Sequence, residues 1–142
     1  MKTKFTSAFI TITFLFFAVG GDAFAQTVKE TTLVKNGGNI IVVRTMAPAE
    51  VVSVEPYIDA KKGKKSGRLN MEVVIRNTAD KPQSYSVFAQ GKTGTGGWLG
   101  GMSKAPSKGK LEPGKKVTMN IRTGYEGDSV PHEMRLEVFP PQ

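Results

Sequence analysis

Large apolar residues recur at every second position along several stretches of the chain, a pattern that predicts β-strands. Between 69 and 76, and again between 133 and 139, apolar and polar residues alternate almost throughout. This is the period of a strand with one face on a core and the other in water. The uninterrupted apolar run at 40–43 favours instead a strand covered on both faces. On this basis we predict about seven strands, at residues 27–34, 39–45, 50–58, 69–76, 84–90, 116–123 and 133–139.

Strong turn formers separate these predicted strands. They are Lys-Asn-Gly-Gly at 35–38, Thr-Ala-Asp-Lys-Pro at 78–82 and Glu-Pro-Gly at 112–114. No stretch shows a sustained helical period, and no internal repeat or second domain is apparent. The sequence therefore predicts a single all-β domain, built as an antiparallel sandwich.

Residues 1–25 have the features of a secretory signal peptide. Two lysines open the chain, an uncharged apolar stretch follows from 5 to 19, and Ala-Phe-Ala at 23–25 supplies the small residues that signal peptidase accepts. The apolar stretch is shorter than the roughly 20 residues of a membrane span. We therefore expect cleavage after Ala25, a domain over 26–142, no transmembrane anchor, and a periplasmic or secreted protein.

Composition narrows the possible chemistry. The chain has no cysteine, one histidine and a formal net charge of +8 at pH 7. Without cysteine there are no disulfides, thiolate metal sites or cysteine nucleophile. The single imidazole, His132, is too few for the convergent ligands of a copper site. The acidic pair Glu126 and Asp128 falls in a predicted turn. We therefore expect a non-catalytic protein without a metal or cofactor.

Two turn motifs carry a resemblance. Residues 75–82 (Ile-Arg-Asn-Thr-Ala-Asp-Lys-Pro) and 111–116 (Leu-Glu-Pro-Gly-Lys-Lys) resemble the corners that flank the middle strands of bacterial immunoglobulin-like domains. The glycine-rich segment 85–111 is similar to cysteine-free periplasmic curli-assembly factors. The resemblance implies an immunoglobulin-like sandwich and a chaperone role that restrains fibre subunits. The first corner is also similar to proteinase-inhibitor domains of bacilli. Those domains are intracellular, whereas this chain is predicted to be exported, which argues against the same role.

A run of cations between two predicted strands is the first candidate binding element. Its members are Lys61, Lys62, Lys64, Lys65 and Arg68. Such a patch attracts an acidic protein or an anionic polysaccharide. The alternative is a solvated hairpin end that protects a sheet edge from aggregation.

The glycine-rich segment 91–115 is the second candidate, interpreted as one long loop between adjacent strands. It contains Trp98, the only tryptophan, and Leu99, with glycine pairs on both sides. The two apolar side chains either cap an open end of the sandwich or form an exposed anchor for a partner.

Three functions remain open. The leading hypothesis is an exported accessory protein that binds an acidic or fibre-forming protein and restrains or assists assembly of a curli-type fibre. The second is a module for anionic envelope polymer. The third is a protease inhibitor that presents residues 91–115. We expect no nucleic-acid partner, because the cationic run lacks aromatic stacking platforms and export removes contact with the chromosome.

Overall fold

The computed structural model describes residues 8–12, 30–36 and 38–141, and side chains from residue 38 onward. The described residues form nine β-strands. Their bounds are β1 Ala8–Ile12, β2 Glu30–Asn36, β3 Asn39–Thr45, β4 Ala49–Ala60, β5 Gly67–Asn77, β6 Tyr85–Lys92, β7 Trp98–Ala105, β8 Lys116–Gly127 and β9 Glu133–Phe139.

The strands form two sheets. One has six strands in the order β1-β2-β3-β9-β6-β7, and the other has three in the order β4-β5-β8. The predicted all-β sandwich is confirmed, and each predicted strand corresponds to an observed one. One pairing departs from the antiparallel prediction, since β3 and β9 run parallel. Alternation within a strand reports which side chains face the core but not the direction of the neighbouring strand.

The core lies between the two sheets and follows the period-two pattern. Met71, Val73 and Ile75 on β5 are fully buried, and so are Ile121 on β8 and Leu136 on β9. Burying these side chains is the main favourable contribution to folding in a chain that has no disulfide.

The apolar run on β3 is covered unequally on its two faces. Ile41 and Val43 are buried in the core, whereas Ile40 and Val42 face outward and are only half-buried. The strand was expected to be covered on both faces. Its inner face is fully covered, and its outer face is only partly covered.

Asn77 joins three segments at one end of the sandwich. Its Nδ2 group donates to the carbonyl oxygens of Lys81, at 2.9 Å, and Leu111, at 2.8 Å. Its Oδ1 accepts from the amide of Ala79 at 2.8 Å, which closes an Asx turn at the start of the corner. A fully buried amide is stable only when its hydrogen bonds are made, so this network fixes how the corner and the segment around Leu111 meet.

The interpretation of 91–115 as one long loop is wrong, because β7 lies inside it. A short turn at 93–97 joins β6 to β7 and is closed by a hydrogen bond from the Thr93 amide to the Gly97 carbonyl, at 2.7 Å. Gly101 then passes close to β8. A Cβ atom on this residue would clash with the carbonyl oxygen of Arg122. This glycine therefore permits a close backbone approach between the sheets, rather than a mobile loop.

Most of the predicted signal peptide lies outside the described residues. The part that is described, Ala8–Ile12, forms β1 and pairs antiparallel with β2. Cleavage after Ala25 stays a prediction, and it would leave β2 as the edge of its sheet. Among the described residues, no helix is long and apolar enough to span a membrane.

Val73 tests the strand register. Val73→Asp places a charge in the core and should destabilise the domain by more than about 3 kcal/mol. Val74→Asp is the matched control, because the neighbouring side chain lies on the outer face and its loss should cost about 1 kcal/mol or less. Urea unfolding of both variants measures the difference. Equal stability of the two would mean that the register of β5 is wrong.

Tyr85 should make the domain less stable as the pH rises through the alkaline range. Its buried hydroxyl lies 2.8 Å from the Pro48 carbonyl oxygen and 2.9 Å from Asn77 Oδ1, and burial raises its pKa from 10.0 to about 12. The neutral phenol is thus favoured in the fold, so its contribution is complete below pH 10 and declines as pH rises towards 12.

Tyr85→Phe should cost about 1–3 kcal/mol at neutral pH, because the acceptors lose their donor. The difference in unfolding free energy between wild type and Tyr85→Phe should shrink between pH 10 and 12. A difference that stays constant over that interval would contradict the assigned hydrogen bonds.

Candidate functional site

Three connections lie together at one end of the sandwich. The strand registers require this arrangement. Gly127, where β8 ends, pairs with Gly67, where β5 begins, and Met134 near the start of β9 pairs with Gly91 near the end of β6. The connections are 61–66 between β4 and β5, 93–97 between β6 and β7, and 128–132 between β8 and β9. We call this the tryptophan end, because Trp98 begins β7 there.

The predicted lysine run forms the turn between β4 and β5. Lys61, Lys62, Lys64 and Lys65 are all exposed. None of them takes part in an ion pair among residues 38–141, where the paired cations are Arg44, Arg68, Arg76 and Lys92. These four lysines therefore present unneutralised charge to solvent, as an electrostatic patch requires.

Arg68 differs from the four lysines. It lies at the start of β5, and its Nε donates to Glu126 on β8 at 3.2 Å. A shallow cleft of about 270 Å³ behind the turn is lined by Arg68, Glu126, Asp59 and Arg122 among others. Lys61 and Lys64 line the same cleft, so what distinguishes Arg68 is its ion pair with Glu126, which partly offsets its charge.

Trp98 lies on the outer face of the six-stranded sheet and is half-buried. The guanidinium carbon of Arg135, on β9, is 3.8 Å from the centre of the indole ring. Since β6 lies between β7 and β9, the side chains of Trp98 and Arg135 meet above β6. Contact at this distance is a cation–π stack. Trp98 is thus neither a core cap nor a side chain on a mobile loop.

A second cation borders the ring. The ammonium of Lys92 is 5.9 Å from the ring centre and forms a 2.9 Å ion pair with Glu133. The hydrogen bond and the charge of Lys92 hold the pKa of the Glu133 carboxyl below its usual value. Lys92 is therefore neutralised by its partner, whereas Arg135 forms no ion pair with any carboxylate among the described residues.

Leu99 and Met102 are the exposed large hydrophobic residues of the described chain, at 44% and 58% exposure. Both lie on β7, but on opposite faces. Met102 shares the outer face with Trp98, while Leu99 points towards β8, where its Cβ is 3.9 Å from the position a Cβ of Gly124 would take. Trp98 and Leu99 were predicted to act as a pair, and the strand separates them.

An apolar patch continues from Trp98 along the outer face. Phe88 pairs with Met102 across β6 and β7, and its ring fills the space above Gly100, where a Cβ would lie 2.8 Å from Phe88 Cζ. We call Phe88, Trp98, Met102 and Arg135 the outer-face patch. Phe88 and Arg135 were not among the residues singled out in the sequence. Their strand alternation was visible, but their proximity to Trp98 depends on the order β9-β6-β7.

The outer face of the three-stranded sheet is different in character. Arg76 donates to Glu50 at 2.6 Å, and Asn120 donates to the Tyr57 hydroxyl at 2.5 Å. Its polar side chains thus bind one another. The six-stranded sheet also carries ion pairs on its outer face, Lys92–Glu133 and Arg44–Glu137, and differs in exposing a large apolar side chain, Met102.

The end opposite the tryptophan end is also basic. It is formed by connections 46–48, 78–84 and 106–115. Its exposed cations are Lys81, Lys108, Lys110, Lys115 and Lys116. Positive charge alone therefore does not distinguish the two ends, and the feature that does is the stacked pair Trp98 and Arg135.

The lone histidine lies in a second cleft at the tryptophan end. This cleft of about 470 Å³ is lined by His132, Glu133, Lys92 and Tyr125 among others. Within the described residues, no group of three or more His, Cys, Asp or Glu side chains could hold a metal ion. The cleft supplies one imidazole and one carboxylate that is already paired, which favours neither metal binding nor acid–base chemistry.

Comparison with known proteins gave no match: no family model, curated protein or solved structure is significantly similar to the chain. The β-sandwich is therefore established by the structure alone. The comparisons do not support the resemblance to immunoglobulin-like domains or to curli-assembly factors, which stays a prediction from the sequence motifs.

Replacing Trp98 tests whether the outer-face patch can be changed without unfolding the core. Trp98→Ala should leave the domain folded and lower its unfolding free energy by roughly 1–2 kcal/mol, as expected for a half-buried side chain. Leu136→Ala, which empties a fully buried position, should cost about 2–5 kcal/mol. Thermal or urea unfolding gives both values. Loss of folding in the Trp98 variant would make this residue core and remove it from the candidate site.

Proposed function

We propose that this protein is a non-catalytic exported accessory protein that binds an acidic, fibre-forming polypeptide and restrains its assembly. The observation that carries the proposal is the position, at the same end of the sandwich, of the Trp98–Arg135 stack and of four lysines that form no ion pair within residues 38–141. Charge there attracts a negative partner from a distance, and the apolar patch gives it a surface to contact.

Three features support a polypeptide partner. Tryptophan and arginine are the side chains that most often dominate protein–protein binding energy. Phe88 and Met102 extend the apolar surface along the same face. The glycine-rich segment 85–111, which is similar to curli-assembly factors, adds a curli-type subunit as the specific candidate, and the two turn motifs add an immunoglobulin-like sandwich.

The two alternatives have weaker support. An anionic envelope polymer would bind the exposed lysines but has no apolar groups to cover the outer-face patch. A protease inhibitor was expected to present residues 91–115 as one loop, but β7 occupies the middle of that segment, so only the turn at 93–97 and the connection at 106–115 could enter a protease.

The assembly kinetics of a purified curli-type subunit test the proposal. Substoichiometric amounts of the chain from Gln26 onward should lengthen the lag before thioflavin T fluorescence rises, and the effect should weaken with added salt. No change in lag at an equimolar ratio and low salt would contradict the proposal.

The lysine run supplies a matched pair of variants. Changing Lys61, Lys62, Lys64 and Lys65 to Gln should slow association with the subunit by about tenfold at low salt and flatten its salt dependence. The control changes Lys108, Lys110, Lys115 and Lys116 to Gln, which removes the same charge from the opposite end. Both variants should melt near the wild-type temperature, because exposed charges contribute little to folding.

Stopped-flow measurement of the association rate separates the two ends. Equal slowing in the two variants would mean that net charge, and not the tryptophan end, steers the partner.

A further inference from the structure

The Arg135 guanidinium has the features of a preformed carboxylate receptor. It is exposed, stacked 3.8 Å from the centre of the Trp98 ring, and in no ion pair among the described residues, although its charge acts on the nearby Glu133 carboxylate, which Lys92 binds. Stacking covers one face of the guanidinium plane and leaves the N–H groups at its edge available. That edge matches the two oxygens of a carboxylate.

Arg135 is the guanidinium on this face that lies beyond 4.0 Å of any carboxylate among the described residues, and Lys104 on β7 is a second exposed cation there. Lys92 is bound to Glu133 at 2.9 Å, and Arg44 lies 4.0 Å from Glu137. Gln90, which pairs with Arg135 across β6 and β9, is uncharged. A carboxylate arriving at the patch therefore has one unpaired guanidinium to bind, held in place by a ring.

The surface beside Arg135 indicates what carries the carboxylate. Phe88 and Met102 continue the patch along β6 and β7. A ligand that covers them must present apolar side chains on the same side as its carboxylate. An extended polypeptide does so, because alternate residues face the same way. An acidic polysaccharide carries carboxylates but no such side chains.

We infer that Arg135, stacked on Trp98, binds an Asp or Glu side chain of an extended polypeptide whose neighbouring same-side residues are apolar and cover Phe88 and Met102. Charge complementarity favours this occupant over a second copy of the chain, since the chain has a net charge of +8 and a copy would bring cations together. The inference rests on the proposed function, to which it adds a contact residue and a sequence preference.

Trp98 is the only tryptophan in the chain, so its emission reports binding at this site directly. The probe is a blocked peptide, Thr-Asp-Thr-Val-Thr-Val, and the comparison peptide has Asn in place of Asp. The Asp peptide should change Trp98 emission saturably. The Asn peptide should bind at least about fivefold more weakly, since a charged hydrogen bond becomes a neutral one.

Arg135→Lys keeps the charge and removes the planar fork, so it should weaken the Asp peptide by about fivefold to tenfold. Arg44→Lys, on the same sheet face, is the control and should bind as wild type. Equal affinity for the Asp and Asn peptides, or wild-type affinity in Arg135→Lys, would overturn the inference. Polygalacturonate, an acidic polysaccharide, is the competing ligand. If it binds as tightly as the Asp peptide and its binding depends on Arg135, the choice of a polypeptide is overturned.

The variant with Gln at 61, 62, 64 and 65 distinguishes this inference from the proposed function. It should bind the Asp peptide more weakly at low salt, while the Asn peptide, which carries no charge, should bind as it does to wild type. If the ratio persists but the four lysines have no effect, the receptor stands and electrostatic steering fails. If the lysines matter but Arg135→Lys leaves the ratio of Asp to Asn affinity unchanged, steering stands and the receptor fails.

Discussion

The contact between β7 and β8 at Gly101 determines how the surface of this protein is arranged. The carbonyl oxygen of Arg122 occupies the place where a side chain at residue 101 would begin, so any other residue would push the strands apart. This approach brings β7, the last strand of the six-stranded sheet, against β8 of the other sheet and closes one side of the sandwich. With β7 in that position, alternation directs Trp98 and Met102 to the outer face, above β6 and within reach of Arg135.

The two ends of the sandwich serve different physical purposes. At one end, Asn77 uses both its donors and its acceptor to join the corner at 78–82 to the backbone at Leu111, with Tyr85 packed against it. Such a buried network is stable only when complete, so it suits a part of the fold that does not change. At the tryptophan end, the charges are solvated and the aromatic ring is half-exposed. A partner can therefore bind there without disturbing the core.

The sequence predicted the strands well because their signal is local. Period-two alternation identifies Met71, Val73 and Ile75 as inward-facing, and the structure confirms their burial. The glycine-rich segment was misjudged for a physical reason. Glycine weakens strand propensity, and the need for Gly101 arises only from a neighbour on β8 that is distant in sequence. The parallel pairing of β3 with β9 could not be predicted from the sequence either, because nothing within either strand specifies the direction of its neighbour.

The candidate site was predicted in its parts but not in its assembly. The lysine run and Trp98 were apparent from composition and rarity, whereas Arg135 looked like an ordinary outward-facing residue on the last strand. Its significance depends on sheet order, which places β9 two strands from β7. Stacking and burial between side chains distant in sequence are set by topology, which the sequence pattern left open.

The most direct test of this account is an amide chemical-shift map of the isotope-labelled domain with a soluble curli-type subunit. The opposite end is equally lysine-rich, so the map separates specific contact from general attraction to positive charge. The account predicts shifts at residues 61–68, 93–98 and around Arg135. Shifts concentrated at 78–83 and 108–116, with the tryptophan end unchanged, would contradict it.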